Sequence, residues 1–235
     1  MRRILFFIAI FMLCLNSSNA TQAFTITTAE DHYLQPLARQ IVTEVYEPLN
    51  IELNILQLPT ARSLHYVNDG FADAELARVE GMELEFKELI PVPVPLFSIY
   101  MIAIANTPDV SIQSMQNARG GRVAIRLGSK YSEQYTKDWK VIQVASMEQQ
   151  LQLLLIGRVD YILVDAIQPT INLSGLDKVH LYQRALQRVT IHHYIHKKHQ
   201  QLLPAIATEL SRLHDSGRID AIIDHFIQQG LDINL

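Results

Sequence analysis

Twice in this chain an amphipathic helical segment ends in Gly-x-x-Asp and gives way to a strand: Gly70-Phe71-Ala72-Asp73, then Gly157-Arg158-Val159-Asp160. The glycine supplies the turn that ends a helix, and the aspartate opens the following strand. Around both copies, strand and helix patterns alternate, which is the signature of an α/β fold. Residues 24–28 read as a β-rich strand. Leu34, Leu37, Ala38, Ile41, Val42 and Val45 then share one helical face. Pro48-Leu49-Asn50 stops that helix, Ile51, Leu53 and Ile55 alternate as a second strand, and Pro59 opens a short helix ending near Gly70. In the second half, residues 122–127 form a strand, followed by Gly128-Ser129 and a polar helix through Trp139. Residues 141–144 form another strand. Ser146 then starts a helix with Gln149 as its capping-box partner, and Met147, Leu151, Leu154 and Leu155 point inward. Residues 159–164 are the apolar run expected of a strand covered on both faces. Ile219, Ile222, Ile223, Phe226 and Ile227 mark a closing amphipathic helix.

The first twenty residues are of another kind. Arg2 and Arg3 precede an unbroken apolar run over residues 4–15, and Ser18-Asn19-Ala20 places small side chains at a cleavage site. That order is a secretory signal peptide. Twelve apolar residues rise about 18 Å as a helix, against a hydrocarbon core of roughly 30 Å, so they are too short for a spanning anchor. Cleavage after Ala20 removes Arg2, Arg3 and Cys14, the single cysteine, so no intrachain disulfide is possible. The expected mature protein is periplasmic, mildly acidic and monomeric. A net charge of −4 for the whole chain lacks the basic excess of a nucleic-acid binder.

Five residues beyond the two aspartates of the repeat stand Arg78 and Asp165, where each short strand ends. In open parallel sheets, ligands collect outside the carboxyl ends of strands. Two facing lobes would present a guanidinium from one side and a carboxylate from the other, which matches a zwitterion such as an amino acid. Solvated strand-end charges are the alternative reading of the same pair. Glu30, Tyr33 and Arg62 follow the first strand or open the second helix and are further candidates for the cleft, with surface roles equally open. His192, His193, His196 and His199 crowd into eight residues. On a strand His193 points away from His192 and His196, so the group reads as a strand followed by a solvated turn and not as a metal site. No Gly-x-Ser-x-Gly, His-Glu-x-x-His, P-loop or dinucleotide fingerprint is present, which gives no catalytic residue and no cofactor.

Three stretches carry a family resemblance. PTARSLHYVNDGFADAEL (residues 59–76), GGRVAIRLGSKYSE (120–133) and LLLIGRVDYILVD (153–165) are similar, in order and spacing, to motifs of the bacterial extracellular solute-binding proteins of family 3, the polar-amino-acid group. The resemblance covers nearly all of the mature chain. It implies a type II periplasmic binding fold, two α/β lobes joined by two crossover strands and closing on a ligand by hinge motion. The crossings would fall at residues 96–105 and 188–195. Lobe 1 would comprise residues 24–97 and 190–235, and lobe 2 residues 98–189. The resemblance also implies that Ser129 helps hold a ligand carboxylate and that Asp165 receives the α-ammonium. The family's first-lobe Ser-rich stretch leading to Thr-x-x-Arg is missing here, and Arg78 sits earlier than the usual arginine. The implied function is capture of a small polar, amino-acid-like ligand for an inner-membrane ABC importer, without catalysis. A soluble sensor for a membrane receptor is the alternative. An enzyme of the dehydratase or lytic transglycosylase type on the same fold is the more distant one.

Overall fold

The computed structural model describes residues 23–30, 33–108, 121–171 and 180–229, so the signal-peptide reading of residues 1–20 lies outside it. One continuous mixed sheet runs through the described chain in the order β2-β1-β3-β9-β5-β8-β6-β7, with the short β4 also on β9. The strands are β1 (Phe24–Ala29), β2 (Leu53–Leu58), β3 (Ala74–Val79), β4 (Leu89–Pro91), β5 (Phe97–Ala105), β6 (Arg122–Arg126), β7 (Lys140–Val144), β8 (Tyr161–Ala166) and β9 (Tyr182–His196). The helices are α1 (Gln35–Tyr46), α2 (Thr60–Asn68), α3 (Lys130–Tyr135), α4 (Met147–Leu155), α5 (Leu203–Asp215) and α6 (Arg218–Gln228).

The order is the same strand triplet used twice. β1 lies between β2 and β3, all parallel, and β6 lies between β7 and β8, all parallel. Antiparallel β5 and β9 run side by side between the triplets, so the chain crosses from one α/β lobe to the other and returns. Their register shifts between Met101 and Ile102, near where burial changes hands. Ile99 packs in one core with α1, α5 and α6, whereas Ile102 and Ile104 pack in another with α4 and β8. The first core therefore draws on both ends of the described chain: Ile26, Leu37 and Ile41 meet Ile206, Leu210, Ile222 and Phe226.

The Gly-x-x-Asp repeat is a structural staple in both halves. Gly70 (φ 82°) and Gly157 (φ 67°) take the left-handed conformation just past the ends of α2 and α4, where a side chain would be strained. Three residues on, the aspartate ties the new strand to its neighbour in the same way. The Thr25 N–H donates to Asp73 Oδ2 (2.7 Å) and the Arg122 N–H to Asp160 Oδ2 (2.8 Å). Each aspartate's own N–H returns a bond to that residue's carbonyl at 2.8 Å.

Two helices differ from the sequence reading. The segment after Ser129 is helical only to Tyr135, not through Trp139. There the Thr136 hydroxyl donates back to the Ser132 carbonyl (2.7 Å), a side chain competing for backbone bonds at the helix end. On α4 the buried face is Gln150, Leu151 and Leu154 with Met147 alongside, while Leu155 is exposed. Gln150 is buried because its amide donates to the carbonyls of Ala124 (3.0 Å) and Leu163 (2.7 Å), stitching α4 to β6 and β8. Ser146 caps this helix by accepting from the Gln149 N–H (3.3 Å), and the Gln149 side chain reaches back to the Ala145 N–H (2.9 Å).

The four clustered histidines go to different partners. His192 meets the Val92 carbonyl (2.8 Å), His196 accepts from the Lys198 N–H (3.0 Å), and His199 meets Asp73 (2.7 Å). Among the described residues no group of three or more His, Cys, Asp and Glu is placed to hold a metal. His193 is buried between the Leu76 carbonyl (3.0 Å to Nδ1) and the Tyr46 hydroxyl (2.9 Å to Nε2). A carbonyl only accepts, so Nδ1 carries the proton and Nε2 accepts from Tyr46. Burial pushes the imidazole down to about 4, which keeps it neutral. Tyr46→Phe leaves Nε2 without a donor and should cost about 1–3 kcal/mol of unfolding free energy, read by urea denaturation at pH 7.

Candidate functional site

A cavity of about 110 Å³ lies where the carboxyl ends of β1, β3, β6 and β8 come together. The crossing strands supply Phe97, Ile99 and Ile191 to its wall, and α1 and α2 offer Gln35 and Thr60 from their first turns. Arg78, Ser129 and Asp165 line it. The two strand-end charges set five residues beyond the staples thus reach one space, because β3 and β8 hold equivalent places in their triplets.

Among the described residues, four buried polar atoms belonging to lining side chains have no hydrogen-bond partner: Gln35 Nε2, Arg78 Nε, Tyr131 Oη and Asp165 Oδ1. Folded proteins satisfy nearly all buried polar atoms, since each unsatisfied one costs about 1–3 kcal/mol. Four around one cavity, two donors on one side and a carboxylate oxygen among them, mark a place shaped for a polar guest. Burial pushes the Asp165 carboxyl up to about 6, against the opposing field of Arg126.

Arg78 is held from behind. Its Nη2 stands 2.8 Å from Glu75 Oε1 and donates to the Thr60 carbonyl (3.3 Å). Glu75 is fully buried, and its other oxygen accepts from the hydroxyls of Thr27 (2.7 Å) and Ser63. Thr27 and Glu75 are register partners on adjacent parallel strands. The β3–β9 register breaks between Glu75 and Arg78, which lets both side chains converge on one charge pair.

Three contacts bridge the cavity's two sides. The Tyr33 hydroxyl donates to the Asp165 carbonyl (2.5 Å), and Arg126 Nη2 donates to the Glu30 carbonyl (3.3 Å). Gly128 (φ 80°) passes so near α2 that a Cβ would stand 3.1 Å from Thr60 Cβ, so the backbone conformation favours glycine there and the space is tight.

Of the sequence-derived candidates, Glu30 and Arg62 do not line the cavity. Glu30 is exposed and offers its backbone carbonyl, not its carboxylate, to the bridge. Arg62 is exposed because Thr60 and Leu64 put their face of α2 on the cavity, and two residues of helix turn a side chain about 200° away. Tyr33 is half-buried and acts across the cavity rather than on its wall. Ser129 lines the wall, but its hydroxyl makes no helix-cap bond; it donates to Ser132 (3.0 Å). Gln35, Glu75, Arg126 and Tyr131 were not among the sequence candidates. Glu75 was the most legible of them, a charged residue set in the apolar pattern of a buried strand.

No family model matches the sequence, and a search of curated proteins finds no relative. Solved structures are similar at low identity. The GluR0 ligand-binding core in complex with L-glutamate matches with TM-score 0.73 at 12% identity, covering 88% of this chain and 98% of that one. The fold is that of the type II periplasmic binding proteins. The substrate-binding protein of an amino acid ABC transporter matches with TM-score 0.69 at 15% identity, over 88% of this chain and 99% of that one. A histidine kinase sensor domain with similarity to periplasmic binding proteins gives 0.68 at 16%, over 87% and 95%.

Because Asp165 is protonated in the fold at pH values where an unfolded aspartate is ionised, it binds more protons folded than unfolded between about pH 3.8 and 6. Stability from this group is therefore present below that window and lost as pH rises through it, to about 3 kcal/mol in all. Asp165→Asn should raise the melting temperature of the unliganded protein by several degrees at pH 7.5 and change it little at pH 4, read by differential scanning calorimetry.

Proposed function

We propose that this protein is an exported, periplasmic solute-binding protein that captures a small zwitterionic, amino-acid-like molecule between its lobes and delivers it to an inner-membrane ABC importer. Lobe 1 comprises residues 24–97 and 190–235, lobe 2 residues 98–189, and the protein works as a monomer. The observation that carries the reading is the set of unsatisfied buried polar atoms on one cavity, with a guanidinium from β3 and a carboxylate from β8 among them. Arg78 Nε takes the ligand carboxylate and Asp165 the ammonium, with Ser129, Gln35 and Tyr131 as neutral partners. Closure brings the Tyr33 and Arg126 bridges together over the guest. Residues 1–20 direct export and are removed.

A second reading keeps the same cavity and changes the recipient. Similarity to a histidine kinase sensor domain favours a role in which the closed form is presented to a membrane receptor. Co-purification of the crosslinked closed form from inner membranes separates the two by whether a permease or a receptor is recovered.

Isothermal titration calorimetry with a panel of amino acids tests the capture itself. A saturable heat with the ligand recovered unchanged supports binding over catalysis, and no heat from any zwitterion rejects the reading. Arg78→Ala and Asp165→Asn should each weaken binding tenfold or more, since hydrogen bonds to charged groups contribute about 1.5–3 kcal/mol. An ammonium needs the ionised carboxylate, so affinity should fall roughly tenfold per pH unit below 6 and level off above it, a dependence that Asp165→Asn removes. Tyr33→Phe deletes one bridge and should raise the dissociation constant roughly two- to tenfold.

A further inference from the structure

We infer that the cavity selects zwitterions with no net charge and a compact apolar side chain, and that Glu75 sets this selectivity. The inference rests on the capture reading above and specifies its guest. Four side chains that are charged at neutral pH stand at or directly behind the cavity, two of each sign. Arg78 is matched by Glu75 at 2.8 Å, and Arg126 acts on Asp165 through its favourable field. A net-neutral zwitterion adds one charge to each side and leaves the balance intact. An acidic side chain would bring a second carboxylate to a guanidinium whose Nη2 is already held by Glu75 and the Thr60 carbonyl. A basic side chain would compete for the one carboxylate that faces the guest. Either extra charge would be stripped of water without a counter-charge, a costly transfer into a low-dielectric space.

Size and walls point the same way. The space is about 110 Å³, less than the roughly 150 Å³ of an engineered cavity that holds benzene. It accommodates the zwitterion's head and at most a few further heavy atoms, and not an extended chain. Much of the remaining wall is hydrocarbon, from Leu34, Leu64, Met82, Phe97, Ile99 and Ile191. Glu75 is the residue that turns an arginine site into a neutral one. It is fully buried, it is fixed by Thr27 and Ser63, and it reaches the guest only through Arg78. That makes it a positioning residue whose charge is felt at the site.

The test is calorimetry at pH 7.5 on the mature chain with L-alanine, L-valine, L-glutamate, L-arginine and succinate, for the wild type and for Glu75→Gln. The wild type should bind L-alanine or L-valine at least tenfold tighter than L-glutamate or L-arginine and show no heat with succinate. Glu75→Gln keeps a polar side chain among Thr27, Ser63 and Arg78 but leaves the site one positive charge in excess. It should shift the ratio of L-glutamate to L-alanine affinity tenfold or more toward glutamate, a change that loss of packing alone would not produce. Wild-type preference for L-arginine or L-glutamate overturns the inference while leaving the capture reading standing. Absence of heat from every amino acid overturns both. An unchanged ratio in a folded Glu75→Gln removes the role given to Glu75, and the wild-type panel decides the selectivity where that variant does not fold.

Discussion

The antiparallel pairing of β5 with β9 is the constraint on which the rest of the molecule depends. Nine residues of β5 pair with β9, and the strands stand between the two parallel triplets. Because each triplet has its first strand in the middle and its third strand innermost, the crossing pair brings β3 and β8 into equivalent positions on either side of it. Beyond the carboxyl ends of parallel strands the backbone ladder stops and leaves a crevice, so the residues at those ends line the gap between lobes. Arg78 and Asp165 line one cavity for this topological reason. Their opposite charges are then a matter of sequence written onto a symmetric frame.

That symmetry explains what the sequence did and did not disclose. Gly-x-x-Asp was legible because its glycine acts locally, just past a helix end, and because the pattern recurs in both halves; the bond from each aspartate to the backbone of the neighbouring strand, 48 and 38 residues away, was not. The strand-end positions five residues on were legible by counting from it. Gln35, Arg126 and Tyr131 were not, since they reach the cavity only through contacts between segments far apart in the chain. Glu30 and Arg62 stand off the cavity wall for a related reason. Sequence places a residue near a strand end or a helix start, but the face it turns to the cavity depends on where the next lobe lies. The exposed Leu155 and buried Gln150 on α4 show the same limit, because an amide that satisfies two strand carbonyls outcompetes a leucine for the inner face.

The two ends of the cavity treat charge differently. On the β3 side, Arg78 arrives already compensated, with Glu75, Thr27 and Ser63 forming a closed network beneath it. On the β8 side, Asp165 faces the cavity with one oxygen unsatisfied, and desolvation raises its carboxyl to about 6. The first arrangement fixes geometry before a guest arrives. The second carries a desolvation cost for the ionised carboxylate that a nearby cationic group would offset.

The contacts across the cavity and its charged lining meet at the same residue. The Tyr33 hydroxyl bonds not to the Asp165 carboxylate but to its backbone carbonyl. The side chain therefore remains available to the guest while the main chain of β8 is tied to the segment after β1. Arg126 has a matching double role, since it lends its field to Asp165 and donates to the Glu30 carbonyl on the opposite side. Ionisation of Asp165 would strengthen its attraction to Arg126, and Arg126 is one of the groups that hold the sides together. If the protein captures a guest as proposed, one carboxylate and one guanidinium suffice to link the guest's charge to the contacts between the two sides, with no need for a longer relay.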